Sequence, residues 1–180
     1  MKLQSVDVKT LSPDVFRVFG TLNALLTAGD RDKCNTMTIG WGALGVDWSR
    51  PVFTAYVRTG RFTHQMLAAN PEFTVNVPMG VFDRSILGTA GTVSGRDEDK
   101  VARLGLTLVD PEVVSVPAIA ELPLTLECRV LYIQDQQPEL LPPDIRERMY
   151  PAGVPSTACG ANADPHTVYY GEIVSSYIVE

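Results

Sequence analysis

Six stretches of alternating apolar residues, parted by at most two short helical segments, limit what this chain can fold into. They run over 20–28 (GTLNALLTA), 34–44, 51–58 (PVFTAYVR), 72–77 (EFTVNV), 122–133 (LPLTLECRVLYI) and 167–179 (TVYYGEIVSSYIV). The helical segments are 61–69, stopped by Asn70-Pro71; 83–88; 97–104, stopped by Gly105; and 143–149, with proline in the first turn. A parallel sheet needs regular alternation with long crossover helices, and these are too short and too sparse. No G-x-G-x-x-G or G-x-x-x-x-G-K motif supports a nucleotide-binding α/β fold either. The expectation is a mainly β chain of α+β type, an antiparallel barrel with short helices. At 180 residues it reads as a single domain over 1–180. The stretch 138–165 holds six prolines and reads as an excursion over the surface.

Several chemistries are excluded. A net charge of -6 with no basic run argues against nucleic acid. Cys34, Cys128 and Cys159 are odd in number and never paired as C-x-x-C, and only His64 and His166 join them, so neither a disulfide framework nor a metal centre is expected. No uncharged run approaches the roughly 20 residues that span a bilayer. The N-terminus MKLQSVDVKT has no signal-peptide core, so the expected location is cytoplasmic with no membrane partner.

Three clusters carry candidate chemistry. In "CNTMTIGWGALG" (34–45), Asn35, Met37, Ile39 and Trp41 share one parity, while Thr36, Thr38, Gly40 and Gly42 share the other. The nearly bare second face accommodates either a flat aromatic ligand brought close to the backbone, with Trp41 as a wall, or a tightly packed barrel strand. In "VRTGRFT" (57–63), Arg58, Arg61, Thr63 and the helix start form a phosphate cradle, or else two solvated arginines with Thr63 as N-cap. In "TVSGRDEDK" (92–100), Ser94 and the acidic residues suit a capped, solvated helix start. His166 stands directly before the last strand.

Taken in order, "NTMTIGWG", "PVFTAYVRTGRFTHQMLAANPEFTVNVP", "GTVSGRDEDKVARLGLT", "ELPLTLECRV" and "DPHTVYYGEI" resemble the flavin reductase-like family, the FMN-binding split barrels that include the flavoredoxins. The resemblance implies a six-stranded antiparallel Greek-key split barrel and a homodimer whose protomers each contribute to flavin sites. It places Asn35, Thr36, Met37, Thr38 and Trp41 along the isoalloxazine and ribityl chain, and Arg58, Arg61 and Thr63 near the phosphate. Asn76 supports the ring from an adjacent strand. Ser94, Gly95, Lys100 and His166 form the rim near the exposed flavin face, the last two as the docking place for NADH or NADPH.

The implied activity is an FMN-dependent oxidoreductase that takes electrons from NAD(P)H and passes them to another flavin, a protein or a small acceptor. No side chain is nominated as catalytic, because the cofactor carries the chemistry. Two alternatives use the same fold: a flavin-bearing electron carrier without NAD(P)H turnover, and an FMN-free binding module.

Overall fold

A computed structural model describes residues 1–7 and 18–180. Its strands are β1 (Leu3–Ser5), β2 (Ala24–Gly29), β3 (Cys34–Ile39), β4 (Gly42–Asp47), β5 (Arg50–Arg58), β6 (Glu72–Val77), β7 (Leu108–Val109), β8 (Ala118–Ile119), β9 (Leu124–Asp135) and β10 (His166–Val179). The helices are α1 (Phe62–Ala69), α2 (Ser85–Thr92), α3 (Lys100–Leu104) and α4 (Pro143–Met149), with one π-helical turn over Val18–Leu22. Antiparallel pairing runs in the order β3-β2-β6-β9-β10-β5-β4, with β1 on β10 and a separate β7-β8 ribbon. The fold is mostly β with short helices, as expected, although the strands exceed six.

The extra strand in the main path comes from the stretch 34–44, which is two strands and not one. β3 and β4 lie at opposite ends of the hydrogen-bonded order, yet only Gly40 and Trp41 join them. Seven strands laid flat would hold those ends about 29 Å apart at roughly 4.8 Å per spacing. Three residue steps reach only about 11 Å. The sheet must therefore curl until its ends meet, which makes a barrel with a seam. Glycine is required at the joint: a Cβ on Gly42 would lie 2.7 Å from the rings of both Phe19 and Phe53.

Alternate residues fill the interior: Ala24, Leu26 and Ala28 of β2, Phe53, Ala55 and Val57 of β5, Phe73 and Val75 of β6, Leu126 and Cys128 of β9, and Tyr169 and Ile173 of β10. The outer face of β2 is covered as well, Leu25 packing with Ile86, Leu87 and Ala90 of α2. This explains why β2 shows no alternation of exposure. Loops are tied down by buried polar groups. Fully buried Glu127 accepts the backbone N–H groups of Glu112, Val113 and Val114 at 2.6, 2.7 and 3.1 Å.

β4 and β5 join through a two-residue turn in which Trp48 (φ 48°) and Ser49 (φ 61°) both adopt left-handed backbone. This is the hairpin geometry that usually selects Asn-Gly. Trp48 meets the rings of Tyr132 and Tyr170 edge-on, each at 6.1 Å between centroids.

Candidate functional site

The bare face of β3 does not wait for a ligand. Thr36 is fully buried and its hydroxyl accepts a bond from Thr27 at 3.2 Å. Thr38 donates to the Leu87 carbonyl at 2.6 Å, and Gly91 of α2 packs against its side chain. That face is a seat for α2, which is why small residues occupy it. Met37, on the other face, packs against the barrel core. Asn76 is likewise structural: its amide donates to the carbonyls of Ile119 and Leu122 and to the Thr125 hydroxyl, and its oxygen accepts the Ile119 N–H. These bonds tie the side chains of Thr36, Thr38 and Asn76 into the fold, and not toward the expected place beside a cofactor.

Asn35, Thr63, Gly95 and Lys100 do come together. The Asn35 amide donates to the Thr63 hydroxyl at 2.7 Å, linking β3 to the first turn of α1. Thr63 lies inside that helix; the cap position belongs to Arg61, which makes no side-chain cap bond. Gly95 has no room for a side chain, because a Cβ would lie 2.0 Å from the Asn35 oxygen. Asn35 and Gly95 border a cleft of about 370 Å³ lined also by Phe62, Met66 and Lys100 and by the carboxylates Asp32, Asp97, Glu98 and Asp99. Ser94 serves the loop, accepting the Arg96 N–H at 3.2 Å.

Lys100 is not on a rim. It is only 4% exposed, and its Nζ donates to the Ala90 carbonyl at 3.2 Å. Burial, and then the charge of Arg61, bring its ammonium down to about 8, so it is still charged at neutral pH. Arg61 donates to the Ala158 carbonyl at 3.0 Å, and Arg96 lies over the Phe62 ring at 5.6 Å. Ion pairs among the described residues join Arg31–Asp110, Arg50–Glu172, Arg103–Glu98 and Arg129–Glu72. None involves Arg58, Arg61, Arg96 or Lys100. The cleft itself is mixed in charge, Arg31, Lys33, Arg96 and Lys100 standing beside Asp32, Asp97, Glu98 and Asp99, and Arg61 is not part of its lining.

Arg58 departs from the expected phosphate role. It is 7% exposed, and its guanidinium donates to the carbonyls of Met149, Asn162 and Asp164 at 2.8, 3.1 and 2.5 Å while lying 5.0 Å from the centre of the Tyr150 ring. Its fork is filled by the chain's own backbone. Arg58 therefore pins the proline-rich excursion to the barrel, a role its spacing in the sequence did not suggest.

His166 is also buried, at 7% exposure. Burial, then Arg58 and Arg61, bring it down to about 3, so it is neutral at pH 7. The Tyr150 hydroxyl donates to the Gln136 amide oxygen at 2.7 Å and lies 2.8 Å from His166 Nδ1. With that hydroxyl proton committed, Nδ1 carries the hydrogen and Nε2 is the acceptor. The imidazole is 4.6 Å from the Trp41 ring at 35°, and Trp41, 37% exposed, offers an aromatic surface beside it. Tyr150 and Gln136 escaped sequence reasoning because they sit in irregular chain, where no periodicity reports a partner. Arg96 was in view as part of the charged helix start but gave no sign of its stacking.

Solved structures share the fold. The flavoredoxin of Desulfovibrio vulgaris (Miyazaki F) superposes with TM-score 0.63 at 23% identity over 88% of this chain and 69% of that one. The NADH:FAD oxidoreductase of Streptomyces globisporus gives TM-score 0.64 at 19% identity over 99% and 87%. At those identities the likeness is one of fold. An uncharacterized protein of Archaeoglobus fulgidus is 34% identical over 110 residues, which span 61% of this chain and 61% of that relative's length. The family model described as "Flavin reductase like domain" matches residues 16–180, and the chain belongs to that family.

Proposed function

We propose that this chain binds FMN and works as an NAD(P)H-dependent oxidoreductase that delivers electrons to a second flavin, a protein or a small acceptor. The observation that carries the reading is buried Lys100, which has one carbonyl partner, feels the charge of Arg61 and, like Arg61, joins none of the ion pairs among the described residues, in a chain of net charge -6. Buried charge without a counter-ion costs stability, and a phosphate would relieve it. In this reading Lys100 and Arg61 hold the phosphate, Asn35 and Thr63 line the path of the ribityl chain, and Trp41 with neutral His166 flanks the ring. A bound flavin would supply two-electron redox chemistry. The protein's share is to anchor the tail, orient the ring and leave one face reachable. His166 Nε2, an acceptor held by the Tyr150–Gln136 chain, suits a hydrogen bond from a ring N–H or a nicotinamide amide.

A homodimer belongs to the same reading. Trp48 and Tyr132, 55% and 49% exposed, meet with Tyr170 in one aromatic cluster on the outside of β9 and β10, a surface that a second copy of the chain would cover. No helix among the described residues is long and apolar enough to cross a membrane, and we place the protein in the cytoplasm.

The test is anaerobic mixing of the FMN-loaded protein with NADH or NADPH. Bleaching of the flavin absorbance within seconds is expected. A flavin that stays oxidised with both would leave a carrier without nucleotide turnover. A colourless protein that does not quench FMN fluorescence would remove the flavin reading itself.

A further inference from the structure

Buried Tyr150 closes α4, and its ring lies under the Arg58 guanidinium. Its hydroxyl makes a second, directional contact. It donates to the Gln136 amide oxygen at 2.7 Å and lies 2.8 Å from His166 Nδ1, while the Tyr150 ring meets the imidazole edge-on at 5.6 Å between centroids. Gln136 is held in turn, its backbone N–H donating to the His166 carbonyl at 2.9 Å. The Trp41 ring covers one face of the imidazole at 4.6 Å. The Nδ1 side is thus enclosed by the chain's own groups, and the other side is open. Among the described residues, the buried side-chain atoms left without a partner are Asp164 Oδ2 and the Tyr177 hydroxyl, so His166 Nε2, which bonds no described residue, reaches solvent.

A hydroxyl has one hydrogen. Spent on Gln136, it leaves the Tyr150 oxygen as acceptor for Nδ1–H, and a neutral imidazole with its hydrogen on Nδ1 has only a lone pair on Nε2. His64 shows the opposite arrangement. Thr167 donates its hydroxyl to Asp135 Oδ1 at 2.6 Å, so His64 Nε2, 3.0 Å from the same hydroxyl oxygen, carries the hydrogen. The two histidines of the chain are therefore fixed in different tautomers, and their neighbours decide which.

We propose that Tyr150 is a positioning residue: given an acceptor by Gln136, it fixes His166 with an outward lone pair at Nε2 beside Trp41, and that face then selects a planar ligand edge that donates N–H, such as a carboxamide, over a carboxylate. A donating edge gains a hydrogen bond there, and a carboxylate meets lone pair with lone pair. Tyr150 acts through His166 and touches no ligand itself. This rests on the part of the reading above that seats a ring beside Trp41 and His166, and on none of its phosphate contacts.

Nitrogen-15 NMR of the histidine side chains tests it, with nicotinamide and nicotinate as probes. Wild type should show one Nδ1–H and one Nε2–H histidine, and His64→Gln should remove the second. Tyr150→Phe keeps the ring under Arg58 and deletes only the hydroxyl, so His166 should lose its fixed tautomer. Gln136→Lys replaces the acceptor by a donor and should invert His166 to Nε2–H. A wild-type tautomer in both variants, or Nε2–H at His166 in wild type, would overturn the positioning role. Nicotinamide should shift the His166 Nε2 resonance of wild type at a roughly fivefold lower concentration than nicotinate, the effect of one neutral hydrogen bond, and Gln136→Lys should abolish that preference. Equal binding of the two probes, or binding of neither, would overturn the selectivity. If Tyr150→Phe does not fold, Gln136→Lys decides. Flavin fluorescence keeps the two readings apart. Quenched FMN that NADH bleaches, with a His166 tautomer indifferent to Gln136→Lys, sinks the role of Tyr150 alone, while absent quenching with an inverted tautomer sinks the flavin and leaves that role.

Discussion

Lys100 concentrates the chemistry of the site in one side chain. An ammonium 4% exposed with one carbonyl partner is a cost that a bound anion repairs. Lys100→Met should raise the dissociation constant for FMN roughly tenfold or more and leave riboflavin unchanged, which fluorescence titration of the two flavins would show. The pH dependence follows. In the folded chain the ammonium lies at about 8, below its ordinary 10.5, so the unfolded chain holds the extra proton between those values. Stability of the unliganded protein should therefore rise with pH across that window, by up to about 3 kcal/mol. FMN affinity should fall over the same window, because the free site loses the charge that attracts phosphate. Riboflavin affinity should stay flat. At this scale the sequence was informative in part: Asn35, Thr63 and Gly95, put forward from three separate segments, meet in the fold. Burial was not legible, since nothing in "GRDEDK" distinguishes a lysine folded inward from a solvated one.

Elements were legible where periodicity exists and illegible where it does not. β6 occupies the expected 72–77, and α1, α4, β5, β9 and β10 lie within two residues of their expected bounds. The stretch 34–44 read as one strand because residue alternation continues across Gly40-Trp41, even though the chain changes partners there. The excursion after β9 was unreadable in a different way: its order comes from Arg58, about a hundred residues earlier in the chain, gripping its carbonyls. Arg58→Ala should therefore appear first as lost stability. Two or three charge-assisted bonds amount to about 3 kcal/mol or more, or a melting temperature lower by roughly 6–12 °C. Any loss of FMN should follow from the disordered segment, so exchange over 143–165 should rise even without ligand. Glu127 does the same for the loop before β8. Glu127→Gln leaves one of its three N–H bonds facing an amide donor, and the cost should be about 2 kcal/mol or more by denaturant melts, with the spectrum of bound flavin unchanged.

For the whole molecule, the apolar surface around Trp48 and Tyr132 is the feature a protomer does not account for. Two non-glycine residues held at positive φ cost about 1 kcal/mol or more each, and that strain presents Trp48 outward against Tyr132 and Tyr170. If this face is covered by a second copy, Tyr132→Asp should shift sedimentation from dimer toward monomer while single-protomer secondary structure persists by circular dichroism. A wild-type protein that sediments as a monomer at micromolar concentration would refute the dimer. The barrel class itself was readable from the sparse, short helices. The way it closes was not, since two residues joining opposite ends of a sheet are recognisable only once the strand order is known.

That strand order also governs assembly. β10 lies between β9 and β5, so until it is synthesised the β3-β2-β6-β9 half and the β5-β4 half share no backbone ladder. A nascent chain on the ribosome must hold two incomplete sheets with open edges for most of its translation, and the cooperative folding step has to wait for β10 to slot between them.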